Sequence, residues 1–263
     1  MQDFVSFERV AFAFGERSSP EQTPILSGID LKLGRGEFFC LVGPSGCGKT
    51  TLLNILAGFE KPFEGAVRVE GRAISGPGAD RMMVFQGDDS LMPWLTAMEN
   101  IELGPRLMGA GKVERRRVAS EALRLVGLSG QGDKYPRQLS GGMKQRIQIA
   151  RAIVCKSQVL LMDEPFAALD AQMRSILQDE LVQLWQATQA TVLFITHDIA
   201  ESLILADRIG IMSAGPSAKI LEMMDVPLAR PRRRDTIEFG RLYERINALL
   251  SGEVRRTLEQ ADR

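Results

Sequence analysis

The chain has 263 residues, 44% hydrophobic and 25% charged, which is enough to bury a sizeable core and excludes a mainly disordered state. Its 33 Lys and Arg balance 33 Asp and Glu, so no bulk charge argues for nucleic acid or a bare membrane surface as partner. The three cysteines, Cys40, Cys47 and Cys155, have no metal-ligand spacing and an odd count, which favours a reducing compartment over a disulfide framework. Asp3 and Glu8 stand where a signal peptide would need basic residues, and no apolar run is long enough to cross a bilayer.

In chain order, Phe4 to Phe14 and Ile29 to Leu33 read as strands, the second ending in the turn Gly34 to Gly36. Glu37 to Val42 is a nearly continuous apolar run, as in a strand buried on both faces. It leads into Gly43-Pro44-Ser45-Gly46-Cys47-Gly48-Lys49-Thr50-Thr51 and a helix carrying Leu52, Leu53, Ile55 and Leu56, closed by Gly58. From about Trp94 to Gly142 the pattern is helical, most clearly at Lys112 to Leu125, and reads as an inserted subdomain. A buried strand at Val159 to Met162 runs into Asp163-Glu164-Pro165. A helix with Leu177, Leu181 and Leu184 follows, then a buried strand from Thr191 to Thr196 ending at His197. Strands alternating with helices predict a parallel sheet, whose ligands gather at the carboxyl ends of the strands. The tail from Asp235, with Phe239, Leu242, Ile246 and Leu249 on one stripe, reads as an amphipathic helix.

Gly43 to Thr50 fits G-x-x-x-x-G-K-[ST] in the strand–loop–helix context that gives the pattern meaning. Glycines let backbone amides approach phosphate oxygens, and the helix start adds its dipole. Lys49 can reach the outer phosphates and the Thr50 hydroxyl can ligate Mg²⁺. Asp163 is placed to hold the same ion, and Glu164 to position or deprotonate an attacking water; the plainer alternative is that this acidic pair caps the next helix. His197, the only histidine, is expected to face the phosphate. Ser140-Gly141-Gly142 opens another helix and makes a second anion-binding start. A head-to-tail homodimer would use both starts by sandwiching each nucleotide between two chains.

Taken together, Gly43–Thr50, Gln86, Leu139–Gln145, Val159–Glu164, Ala168–Asp170 and His197 resemble the ATP-binding-cassette ATPases, element by element and in order, from about Phe4 to Arg232. The resemblance implies an α/β fold, a P-loop NTPase of ABC-ATPase type with an N-terminal antiparallel β subdomain and a helical subdomain (about 92–142) inserted in a RecA-like core. It sets residues 1–235 as one ATPase domain and 236–263 as a helical tail. It implies ATP and Mg²⁺ as ligands, Gln86 as the residue that senses Mg²⁺ and the γ-phosphate, and Asp170 as a residue reaching the dimer interface. An aromatic is implied against adenine, with Phe14 the candidate and Phe12 its competitor.

Ser75–Gly78, Leu91–Thr96 and Asp163–Asp170 look like the ATPase subunits of nitrate, sulfonate and taurine importers. By that likeness the chain is an ATPase subunit on the cytoplasmic face of the inner membrane. It would pair with an integral membrane permease and, indirectly, a solute-binding protein, and would not bind nucleic acid. A soluble non-transport cassette is the alternative, and a kinase for a small acceptor would not need Leu139–Gln145.

Three lesser features carry expectations. Trp94 either packs in the subdomain core or meets the permease. Arg230, Arg232, Arg233 and Arg234 read as an exposed linker. Cys47, at a helix start, is expected to have a depressed thiol pKa, so that alkylation would block nucleotide binding.

Overall fold

The structure, a computed structural model, describes residues 3–15, 23–87 and 90–261, with side chains through residue 253. The chain forms two compact units, Met1–Gly78 with Thr191–Arg263, and Ala79–Ala190.

In the first unit, β1 (Asp3–Phe12), β2 (Leu26–Gly34), β4 (Glu64–Val69) and β5 (Arg72–Ala73) form an antiparallel sheet in the order β2-β1-β4-β5. β2 shows why it is one-sided: Leu26, Ile29, Leu31 and Leu33 are buried, while Gly28, Asp30 and Lys32 between them are exposed. In contrast β3 (Phe38–Val42) is buried at every position. It lies between two parallel neighbours, β8 (Thr191–Thr196) and β9 (Arg208–Met212), and β10 (Ile220–Asp225) pairs antiparallel with β9. Helix α1 (Lys49–Ala57) follows β3 and ends at Gly58, whose φ of 84° lets its amide reach Asn54 and Ile55 carbonyls.

Helix α6 (Ile199–Leu205) has only seven residues, too short to persist without support at its ends. Asp198 caps its start, accepting from the Glu201 amide at 3.1 Å. Its C-terminal end is held by the basic run, which corrects the expectation of an exposed linker. Arg232 donates to the Leu203, Ile204 and Ala206 carbonyls, and Arg230 to those of Ile204 and Leu205 and to Asp207 Oδ1. Cations at a helix C-terminus satisfy orphan carbonyls and the dipole together. Burial, with Arg230 alongside, pulls the Arg232 guanidinium down to about 10. Arg233 and Arg234 are exposed. The tail forms α7 (Ile237–Ala261), which packs on α6 and β9 with Phe239 and Ile246 buried.

In the second unit, β6 (Arg81–Val84) and β7 (Val159–Asp163) are parallel partners, in register from Arg81 opposite Val159 to Val84 opposite Met162. Helices α2 (Ala97–Leu107), α3 (Lys112–Leu125) and α4 (Gly141–Val154) pack against one another. Thr96 and Glu99 form a capping box at the start of α2. Helix α5 (Ala171–Thr188) buries Leu177, Leu181 and Trp185.

Candidate active site

β3 delivers the chain into the glycine loop and α1 takes it out. Gly46 and Gly48 hold φ of 77° and 93°, where other residues are strained. A Cβ on Gly48 would also come within 2.7 Å of Leu26 Cδ2. Gly48 precedes the first residue of α1, and no side chain caps that helix. The leading amides and the helix dipole therefore face forward with no side-chain acceptor supplied by the cap residue. Lys49 is 6% exposed and turns back into the loop, donating to the Gly43 carbonyl at 2.8 Å and the Pro44 carbonyl at 2.9 Å. Ser45, Gly46 and Thr50 are exposed, whereas Thr51 is buried.

Cys47 departs from expectation. Its side chain is buried, and burial pushes the thiol pKa up, a larger effect than the opposing pull of the Lys49 charge. The helix start does not make this thiol reactive, because desolvation of the thiolate dominates.

Of the two aromatic candidates, Phe12 is buried in β1 and Phe14 is 59% exposed. Their rings meet edge to face at 5.0 Å, so Phe14 is braced by Phe12 and presents its surface outward. His197 is exposed at the end of β8, and its neighbour Asp198 serves as the α6 cap.

In the second unit, β7 is buried throughout and ends at Asp163, itself 3% exposed. Glu164 follows at φ 45°, a backbone state that costs a non-glycine residue about 1–3 kcal/mol and concentrates at functional sites. Gln86, just beyond β6, brings its amide Nε2 to Glu164 Oε2 at 3.4 Å. Neither Asp163 nor Glu164 caps α5. Asp170 does, accepting from the Met173 amide at 2.9 Å. Ser140 caps α4, its hydroxyl accepting from Met143 N–H at 3.3 Å. Gly142 backs onto Leu169, whose Cδ2 would lie 3.2 Å from an added Cβ. Gln145, which closes the Leu139–Gln145 segment but was given no role of its own there, donates from a buried position to the Glu164 carbonyl at 3.4 Å. Trp94 is 69% exposed, so the core-packing alternative for it fails.

The residues expected around Mg²⁺, Thr50, Gln86 and Asp163, offer a hydroxyl, an amide oxygen and a carboxylate. This hard-oxygen donor set suits Mg²⁺. Among the described residues no three His, Cys, Asp or Glu cluster as a metal cage.

A phosphate loop by itself defines only the P-loop nucleotide-binding class. The Ser140 helix start in the same chain narrows that class to the ATP-binding cassettes. Comparison with known proteins agrees: the ABC transporter family model matches residues 26–167, and the chain belongs to that family. It is an ATPase of the cassette type. The chain is 47% identical over 236 residues to the bicarbonate transport ATP-binding protein CmpD of Synechocystis, covering 89% of this chain and 83% of that one. It is 45% identical over 239 residues to the nitrate import ATP-binding protein NrtD of Synechococcus elongatus, covering 89% and 85%. Among solved structures, the dimeric cassette MJ0796 in a post-hydrolysis state with ADP and Pi superposes at TM-score 0.75. It is 30% identical and covers 86% of this chain and all of that one.

Proposed function

We propose that the chain is the ATP-hydrolysing subunit of an importer for a small anion of the nitrate, bicarbonate or sulfonate class. It works as a homodimer, held peripherally at the inner face of the membrane by a separate permease that a solute-binding protein supplies. Near-full-length identity to bicarbonate and nitrate transport subunits is the observation that supports this most. No helix among the described residues is long and apolar enough to cross a membrane.

The loop amides from Gly43 to Thr51 and the Lys49 ammonium bind the β- and γ-phosphates of ATP, and Phe14 stacks on adenine. Thr50, Asp163 and Gln86 would hold Mg²⁺, which when bound neutralises charge developing between the phosphates. Glu164 orients the attacking water and accepts its proton, with its carboxylate steadied by the Gln86 amide. His197 donates to the γ-phosphate oxygens. Ser140, Gly141 and Gly142 grip the nucleotide carried by the second copy, with Asp170 at the interface, and Trp94 offers a surface to the permease.

Glu164→Gln tests the chemistry. ATP binding is retained, turnover falls by about two orders of magnitude or more, and the dimer accumulates in its closed form on light scattering. Wild-type turnover in that variant removes Glu164 as the base. Uptake of labelled nitrate and bicarbonate by cells lacking the chain tests the cargo. Restoration by the wild type and not by Glu164→Gln is expected for one of these or for a labelled sulfonate assayed alongside them, and unchanged uptake of all three removes the small-anion assignment.

A further inference from the structure

Helix α4 starts at Ser140 and is mostly apolar where it is buried, yet three polar side chains sit inside it: Gln145 and Gln148, each 1% exposed, and Arg151, 7% exposed. Three residues apart, they form one stripe along the helix. Each donates to one of the segments that carry Gln86 and Glu164. Gln145 Nε2 reaches the Glu164 carbonyl at 3.4 Å. Gln148 Nε2 reaches the Gly87 carbonyl at 2.7 Å, directly after Gln86. Arg151 holds Ser90 twice, Nη1 to its carbonyl at 2.9 Å and Nη2 to its hydroxyl at 3.1 Å.

The stripe is poorly built for stability alone. Gln145 Oε1, Gln148 Oε1 and Arg151 Nε are buried with no hydrogen-bond partner among the described residues. Each such group carries a desolvation penalty that an apolar side chain of the same size would avoid. What the stripe achieves is geometric: it ties the segment behind Gln86 and the backbone of Glu164 to the helix that Ser140 begins.

We propose that Gln148 and Arg151 are positioning residues for hydrolysis, locking the Gln86 segment to α4 so that a phosphate engaged by Ser140 is registered at Gln86 and Glu164 of the same chain. In the dimer described above, on which this rests, Ser140 grips the nucleotide of the other copy, and α4 then links the two nucleotides.

Steady-state hydrolysis by the full chain over a range of Mg·ATP concentrations tests this with Gln148→Met, Arg151→Met and Arg151→Lys. Methionine keeps the length of glutamine and removes both the donor and the unpaired Oε1, while the Gly87 carbonyl lies on an exposed residue that water can reach. Gln148→Met is expected to lower kcat about tenfold, leave KM for ATP within about twofold and reduce the Hill coefficient, with Tm unchanged or raised. Arg151→Lys, which keeps one donor toward Ser90, recovers part of the kcat lost in Arg151→Met. Wild-type kcat and Hill coefficient in Gln148→Met overturn the proposal, as does a kcat loss that comes only with a matching fall in Tm. A wild-type chain without ATP turnover would instead overturn the ATPase assignment, before any variant is compared.

Discussion

At Gly48 the chain enters α1 with no side chain to cap it, whereas at Ser140 it enters α4 with its own hydroxyl accepting from the Met143 amide. Both starts are glycine-rich, and each sets the positive end of a helix dipole beside its loop. The difference lies in what each holds in reserve. The α1 start relies on two left-handed glycines and a lysine turned inward, with no side-chain cap from Gly48. The α4 start satisfies itself with a cap worth about 1 kcal/mol. The hydroxyl that accepts from the Met143 amide still has its own O–H proton to donate, so the cap and a bond to phosphate are compatible.

Exchanging glycine for alanine at each start should separate the two most sharply. Gly48→Ala combines a left-handed φ with overlap against Leu26 and is expected to destabilise the fold by about 2 kcal/mol or more and abolish binding of a fluorescent ATP analogue. Gly142→Ala presses on the flexible end of Leu169 and meets the Ala168 carbonyl at ordinary contact distance, so Tm should barely move while hydrolysis falls. Equal loss of Tm in the two variants would erase the contrast. Ser140→Ala should cost about 1 kcal/mol in unfolding free energy and slow turnover, with ATP affinity of the isolated chain unchanged. Weaker ATP binding in that variant would show that the α4 start already contributes within a single chain.

The smallest effect concerns Cys47. Its raised pKa means less thiolate at neutral pH than an ordinary cysteine has, and labelling by iodoacetamide should rise with pH only above the usual thiol range. Rapid labelling at pH 7 with a midpoint below that range would restore the dipole-activated thiol.

The sequence was most legible where burial or backbone geometry restricts residue choice. β3 and β8 are buried on both faces and read as continuous apolar runs, and α3 has the bounds read from the sequence, Lys112–Leu125. The phosphate loop was readable because its glycines answer to φ and close approach. β4, β5 and β10 went unmarked because half-exposed residues such as those of Ile220–Asp225 carry little periodic signal. The α4 stripe was hidden for the opposite reason: Gln145, Gln148 and Arg151 are residue types that usually face water, and only tertiary contacts reveal them as buried. Cys47 misled because a sequence shows the helix start but not the desolvation that outweighs it.

The two arginines at the end of α6 have a consequence for how the chain can be divided. The carbonyls they satisfy belong to the short helix directly after His197, yet Arg232 comes 26 to 29 positions later in the chain. A ribosome must therefore complete the segment beyond β10 before that helix can be finished. A cut anywhere between Asp225 and Arg230 would separate the histidine's supporting helix from the cations that close it. The contacts of Arg230 and Arg232 thus tie the segment after the last strand to the short helix that follows His197.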